Sequence, residues 1–223
     1  MTARTDATEA AGVLNSVADA LTALGGHIGN AGAQLLYQVG NLRANAQTSV
    51  YSGVLGAQLM GCFSAATAAG ATLAAFAILR TTIGALTPSG ASGKAIAAAA
   101  IEMALAQEAL ILSATVFVSR DDVDAQMQIY DAAFDAAETY AANAIDVDVY
   151  RALVTLHAAT INDLTTRSRP LPSLIAVKLA RTWSARSLAN KLYGDASRAQ
   201  ELIDENKIVN PSFCPLTLVA LSA

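Results

Sequence analysis

Few residues of this chain could do chemistry, and they lie far apart. There are two histidines and two cysteines in 223 residues. Neither His27 nor His157 has a second metal ligand at a zinc-like spacing. His157 falls on the apolar stripe of a helical pattern and reads as a satisfied core or interface histidine. Cys62 stands in an apolar run and reads as buried and inert. Cys214 lies in a turn between Phe213 and Pro215, with no evident partner to promote a thiolate. The run Pro88-Ser89-Gly90-Ala91-Ser92-Gly93-Lys94-Ala95 approaches the phosphate-loop template and misses it twice. Pro88 stands at the first glycine position, and Ala95 replaces the hydroxyl that would hold magnesium. It reads as a plain helix–helix turn. Asp121, Asp122 and Asp124 lack the glycine and closing glutamate of a calcium loop, so a helix cap and a solvated face explain them. The sequence thus predicts no catalytic residues, no metal ligands and no cofactor, in a protein that is not an enzyme.

Composition narrows the class further. The chain is 54% hydrophobic, 14% charged and 5% aromatic, with a mean hydropathy of +0.41. Low charge with high hydrophobicity excludes a disordered chain. Two cysteines exclude a disulfide scaffold at this length. A net charge of −4 argues against an electrostatic nucleic-acid binder, so no nucleic-acid partner is expected. What remains is a helical protein with a small-residue core, or a membrane protein.

The elements follow from apolar spacing. Leu14, Val17, Ala18, Leu21 and Leu24 predict a helix over 6–24, with Asp6 and Glu9 as its capping box and Gly25-Gly26 as its stop. A second helix covers about 31–50, burying Leu35, Leu36, Val39 and Leu42. A long segment from Val54 to Leu86 is rich in glycine (Gly53, Gly56, Gly61, Gly70) and alanine. Helix resumes at Lys94 and runs to about Thr115, with Ile96, Ala100, Met103, Ala104, Leu110 and Ile111 as its apolar positions. Ser119 opens the next helix, where Val123, Met127, Tyr130, Phe134 and Ala137 share one face and Asp131, Asp135 and Glu138 the opposite, wet one. Asp146 caps its partner, in which Tyr150, Leu153, His157, Ile161 and Leu164 recur. The two form a helical hairpin over 119–167. Two prolines in 167–172 break the helical grammar. Beyond them come a strand at Leu174, two short helices divided at Gly194-Asp195, and a strand at Leu216. The fold class predicted is mainly α: an alanine-rich helical bundle over 1–169, then a small βααβ module over 172–223.

Charge is unevenly spread. Residues 44–79 carry none, which is long enough to cross a bilayer. Alanine, glycine, serine and threonine dominate that stretch, however, and they drive insertion poorly. Burial against neighbouring subunits is the preferred reading, and a membrane span through 54–79 the alternative. Residues 120–149 sum to −7 and residues 150–223 to +4. These are two solvated faces, or they pair within the chain or between subunits. Tyr140, Tyr150, Trp183, Tyr193 and Phe213 are spaced as core anchors, with Trp183 also suited to an interface.

One stretch carries a resemblance. Leu188-Ala189-Asn190-Lys191-Leu192-Tyr193-Gly194-Asp195-Ala196-Ser197-Arg198-Ala199-Gln200-Glu201-Leu202, continued by Asn206-Lys207-Ile208-Val209-Asn210-Pro211-Ser212-Phe213, looks like a phage version of the LysM module. With the preceding helical hairpin, residues 115–223 resemble the Mu-like tail proteins of the DNA circularisation family. The resemblance implies a structural subunit of a phage tail or baseplate, resident in the virion and assembled in the host cytoplasm. It implies tube, hub or tape-measure neighbours as partners and a homo-oligomer in a symmetric assembly. Trp183, Leu188, Leu192, Tyr193, Ile208 and Phe213 are its candidate interface residues. The alternatives are a membrane-inserting protein of the holin or pilot kind and a peptidoglycan-binding accessory.

Overall fold

A computed structural model of the chain describes residues 2–24, 29–51 and 54–222. Gly25, Gly26, His27 and Gly53 lie outside the described residues. The chain divides into two compact units, 1–115 with 130–162, and 116–129 with 163–223. The division passes through a pair of long helices, whereas the expected boundary lay in the proline linker.

The first unit is built on helices α1 (Thr2–Leu24), α2 (Gly29–Ala44), α3 (Ala46–Tyr51), α4 (Leu55–Ala68), α5 (Leu73–Gly84) and α6 (Ala91–Ala114). Helix α6 is apolar nearly all round, and such a helix must be covered on most sides. Helices α1, α4 and α5 supply that cover. Ile96, Ala97, Ala100 and Ala104 of α6 meet the buried stripe Ala10, Leu14, Val17, Ala18 and Leu21 of α1 in one core. Phe63 and Phe76 stack in the same core with centroids 6.3 Å apart. Each such fully buried large side chain stabilises the fold by roughly 1.5–3 kcal/mol. Leu36 and Leu110, expected to be buried, are exposed.

The apolar run 54–86 is not one helix. It breaks after Ala68, where Gly70 takes φ 86°, and restarts at α5 with the Thr72 hydroxyl accepting from the Ala75 N–H at 3.2 Å. The break folds the chain back, so both halves can lie on α6. Helices α4 and α5 have 14 and 12 residues, each shorter than the roughly 20 that a single bilayer span needs. Among the described residues only α6 is long and apolar enough to cross a membrane, and half of that stretch is buried within the chain.

Asp6 and Glu9 do not cap their own helix, which begins at Thr2. They cap α6. The Glu9 carboxylate accepts from the Ser89 N–H at 2.6 Å and the Gly90 N–H at 2.8 Å, and Asp6 accepts from the Ser92 hydroxyl at 2.6 Å. The loop that failed the phosphate-loop template therefore does hold an anion, supplied by α1. A Cβ on Gly90 would press on the Asp6 and Glu9 carboxylates, which would have to move aside. The backbone donors hold the Glu9 carboxyl below the usual range. A depressed carboxyl stabilises the fold above its ordinary range and loses that contribution as pH falls through its lowered value. Accordingly, Glu9→Gln should lower the thermal midpoint at neutral pH, and the gap from the native chain should close in acid. Melting curves across a pH series would show this.

Helices α7 (Arg120–Asn143) and α8 (Val147–Ser168) contribute residues to both units. Ser119 caps α7 by accepting from the Asp122 N–H at 3.1 Å, and Asp146 caps α8 by accepting from the Val149 N–H at 3.2 Å. In the second unit β1 (Leu174–Lys178), α9 (Ala185–Tyr193), a 3-10 turn (Ala196–Arg198), α10 (Ala199–Glu205) and β2 (Thr217–Leu221) follow in order. The two strands pair antiparallel, Leu174 opposite Leu221 and Lys178 opposite Thr217. Ser184 opens α9, and Gly194 closes it at φ 72°, a conformation glycine takes readily. Ala185, Leu188, Ala189, Leu202, Cys214, Leu218 and Ala220 form the core.

One side chain ties the short helices to the sheet. The Asn206 amide donates to the Val219 carbonyl and accepts from the Val219 N–H, both at 2.7 Å, as a third strand would. Asn206→Ala leaves both Val219 groups unpaired and should cost about 1–3 kcal/mol in urea denaturation.

Candidate functional site

Three polar arrangements stand out. The first joins α7 and α8 within the first unit. His157 Nε2 lies 2.9 Å from Asp131 Oδ1, and Nδ1 lies 3.0 Å from Glu138 Oε1. The ring stacks on Phe134 at 4.8 Å with planes 9° apart. His157 is thus satisfied on an apolar face, as its position in the pattern implied. Asp131 and Glu138 are not on the opposite face from it; they reach round and hydrogen-bond the ring, with Asp135 close by. The doubly protonated ring can donate to both carboxylates, the neutral ring to one. Asp135, Glu138 and His157 each offer a ligand atom within 4.8 Å of the others. These are the residues that could hold a divalent cation. The hydrogen bonds between ring and carboxylates already satisfy the histidine without one.

The second arrangement is a buried ion pair. Arg80 Nε on α5 donates to Glu108 Oε1 on α6 at 2.8 Å, and the Glu108 side chain is 1% exposed. Tyr130 of α7 stands beside them. Burial first, and the Glu108 carboxylate second, push its hydroxyl well above the usual range. Next to this pair opens a cleft of about 390 Å³ between α5, α6 and α7, walled by residues such as Ile83, Ala97, Ile101 and Ala133. Glu102 lines it, its carboxyl raised by burial and by Asp146. Arg80, Thr81, Lys94 and Tyr140 are its other polar lining residues. Cys62 is buried, its thiol pushed up to about 11, and burial likewise raises the Cys214 thiol.

The third lies on the second unit. Arg181 and Lys191 both sit over the half-buried Trp183 ring, 4.4 and 4.9 Å from its centroid, and Arg198 lies 3.9 Å over Tyr193. The sequence-predicted interface residues divide here. Leu188 is 0% exposed and belongs to the core, so it cannot dock anything. Leu192, Tyr193 and Ile208 are partly buried against that core, and the Tyr193 hydroxyl accepts from the Leu221 N–H at 3.1 Å. Phe213 is 66% exposed and remains available. Tyr140, Tyr150 and Phe213, expected as core anchors, are exposed. Tyr140 and Tyr150 lie near the ends of α7 and α8, and Phe213 in the loop before β2, where fewer neighbours can cover a ring.

No protein-family model matches the chain, and no curated protein matches it.

Pattern reading missed the Arg80–Glu108 pair. The signal was present: a carboxylate in an alanine-rich helix must find a cation or lose its charge. Removing one partner leaves the other charge buried. Glu108→Ala should therefore cost about 3–5 kcal/mol, while the double change Arg80→Met with Glu108→Met should recover most of it. Urea denaturation of the three chains would check both.

Proposed function

We propose that the chain is a structural subunit of a bacteriophage tail or baseplate, acting by binding rather than catalysis. The observation that carries the reading is where the quoted motif falls. Leu188 to Leu202 spells the second half of α9, the left-handed Gly194, the Asp195-capped turn and the start of α10, between two antiparallel strands. That layout is what a LysM-like docking module requires. The helical unit is its natural companion, since small-residue helices pack closely against copies and neighbours. The partners are tail proteins of tube, hub or tape-measure type and further copies of this chain, all in the virion.

Phe213 supports the docking role as a large exposed ring on the module, with Ile175, Val209 and Leu216 exposed as well. The test is mass spectrometry of purified virions and of detached tails. The chain should be present in both at a fixed stoichiometry, and its absence from the particle would overturn the reading. Phe213→Ser should leave the melting midpoint nearly unchanged while reducing incorporation into particles.

A further inference from the structure

The spacing of the histidines along the chain predicts no metal site, but the fold assembles donors that spacing does not. Asp131, Asp135 and Glu138 recur four and three residues apart and so share one side of α7. His157 of α8 comes to that side, and all four residues belong to the first unit. Phe134 stacks on the ring and fixes its plane. Each ring nitrogen then faces a carboxylate, Nε2 that of Asp131 and Nδ1 that of Glu138. Those contacts satisfy both nitrogens only when the ring carries two protons. A neutral imidazole has one N–H and one lone pair. With the proton on Nε2 and donated to Asp131, the Nδ1 lone pair meets an oxygen lone pair of Glu138. A cation at Nδ1 turns that repulsion into attraction. Among the described residues no Lys or Arg forms an ion pair with any of the three carboxylates, so the imidazole is their one basic neighbour.

We propose that Asp135, Glu138 and His157 Nδ1 bind one Zn²⁺, with Asp131 as the positioning residue that holds the ring. The three ligand atoms lie within 4.8 Å of one another. Nδ1 and Glu138 Oε1 are 3.0 Å apart. Bonds of about 2.0–2.1 Å to one ion put two donors about 3–3.4 Å apart, so this pair already stands at ligand spacing. Asp135 is exposed and closes the remaining distance by turning its side chain. Water fills the fourth position of a tetrahedral ion. An Nε2–H donated to a carboxylate is the usual way a metal-bound histidine is oriented. Calcium and magnesium prefer about six or more oxygen ligands, whereas an imidazole with two carboxylates suits zinc and its first-row neighbours. The two ligand carboxylates balance the charge of the ion, which ties α8 to α7 within the first unit. The inference holds whether or not the chain belongs to a phage tail.

Titration calorimetry of the full chain with Zn²⁺ tests it. One ion should bind per chain, and it should raise the melting midpoint, because it binds the folded state. Mg²⁺ at the same concentration should do neither. Loss of a group that only orients a ligand costs about 10–100-fold in affinity. Asp131→Asn should therefore weaken Zn²⁺ binding about tenfold, and Asp135→Asn or Glu138→Gln, which remove ligands, at least about a hundredfold. Asp135→Asn should leave the melting midpoint of the metal-free chain nearly unchanged, since that side chain is exposed. Its lost binding is then distinct from lost fold. His27→Gln should bind Zn²⁺ as the native chain does. A native chain with no saturable Zn²⁺ binding overturns the proposal and leaves His157 as a protonated ring between two carboxylates. Binding that survives Asp135→Asn overturns it too, as does binding lost with His27→Gln or matched by Mg²⁺.

Discussion

The first unit depends on one constraint: a helix that is apolar almost all round has to be covered. Helix α6 buries or half-buries most of its length and leaves Lys94, Leu110 and Ser113 exposed, and α1, α4 and α5 close over it. The arrangement of those helices follows from that need. The 54–86 run would leave much of its own apolar surface uncovered as one straight rod. Broken at Gly70, it lays two shorter helices where α6 needs them. Alanine suits the task because a small side chain lets helix axes approach closely, and it loses no rotamer freedom on burial.

Packing of this kind is weakly directional, since alanine surfaces offer few distinguishing shapes. Polar contacts fix the register. Glu9 reaches from α1 to the N–H groups of Ser89 and of the N-cap Gly90, and Asp6 to the Ser92 hydroxyl in the first turn of α6. Arg80 and Glu108 pin α5 to α6 at the far end, and Thr67 donates to Gln107 at 2.7 Å between α4 and α6. Each is a single-position contact that a sliding helix would lose. His157, between two carboxylates and against Phe134, does the same for α7 and α8.

The second unit solves a different problem. Its sheet has only two strands, too few to stand alone in water. The α9–α10 pair covers one face, and Asn206 supplies the hydrogen bonds of an absent third strand. A module completed this way leaves other side chains free, and its unpaired cations and Phe213 lie outside the core.

Much of this was legible in the residues, where the cause was local. Ser119, Asp146, Ser184 and Gly194 mark helix ends because capping acts within a turn, and the stripe of α1 follows from period alone. What needed the tertiary structure was every partner distant in sequence. Asp6 and Glu9 look like a cap for their own helix and serve another some 80 residues away. Asp131 and Glu138 look like a wet face and hold a histidine. Leu188 looks like an interface and is core, while Tyr140 and Tyr150 look like core and are exposed. The sequence determined which stretches turn into helix and the ends that a local cap marks, because those choices rest on neighbours within four residues, but not the breaks after Ala44 and Ala68. Only the folded chain decided which carboxylate met which donor, because that depends on helices brought together by burial.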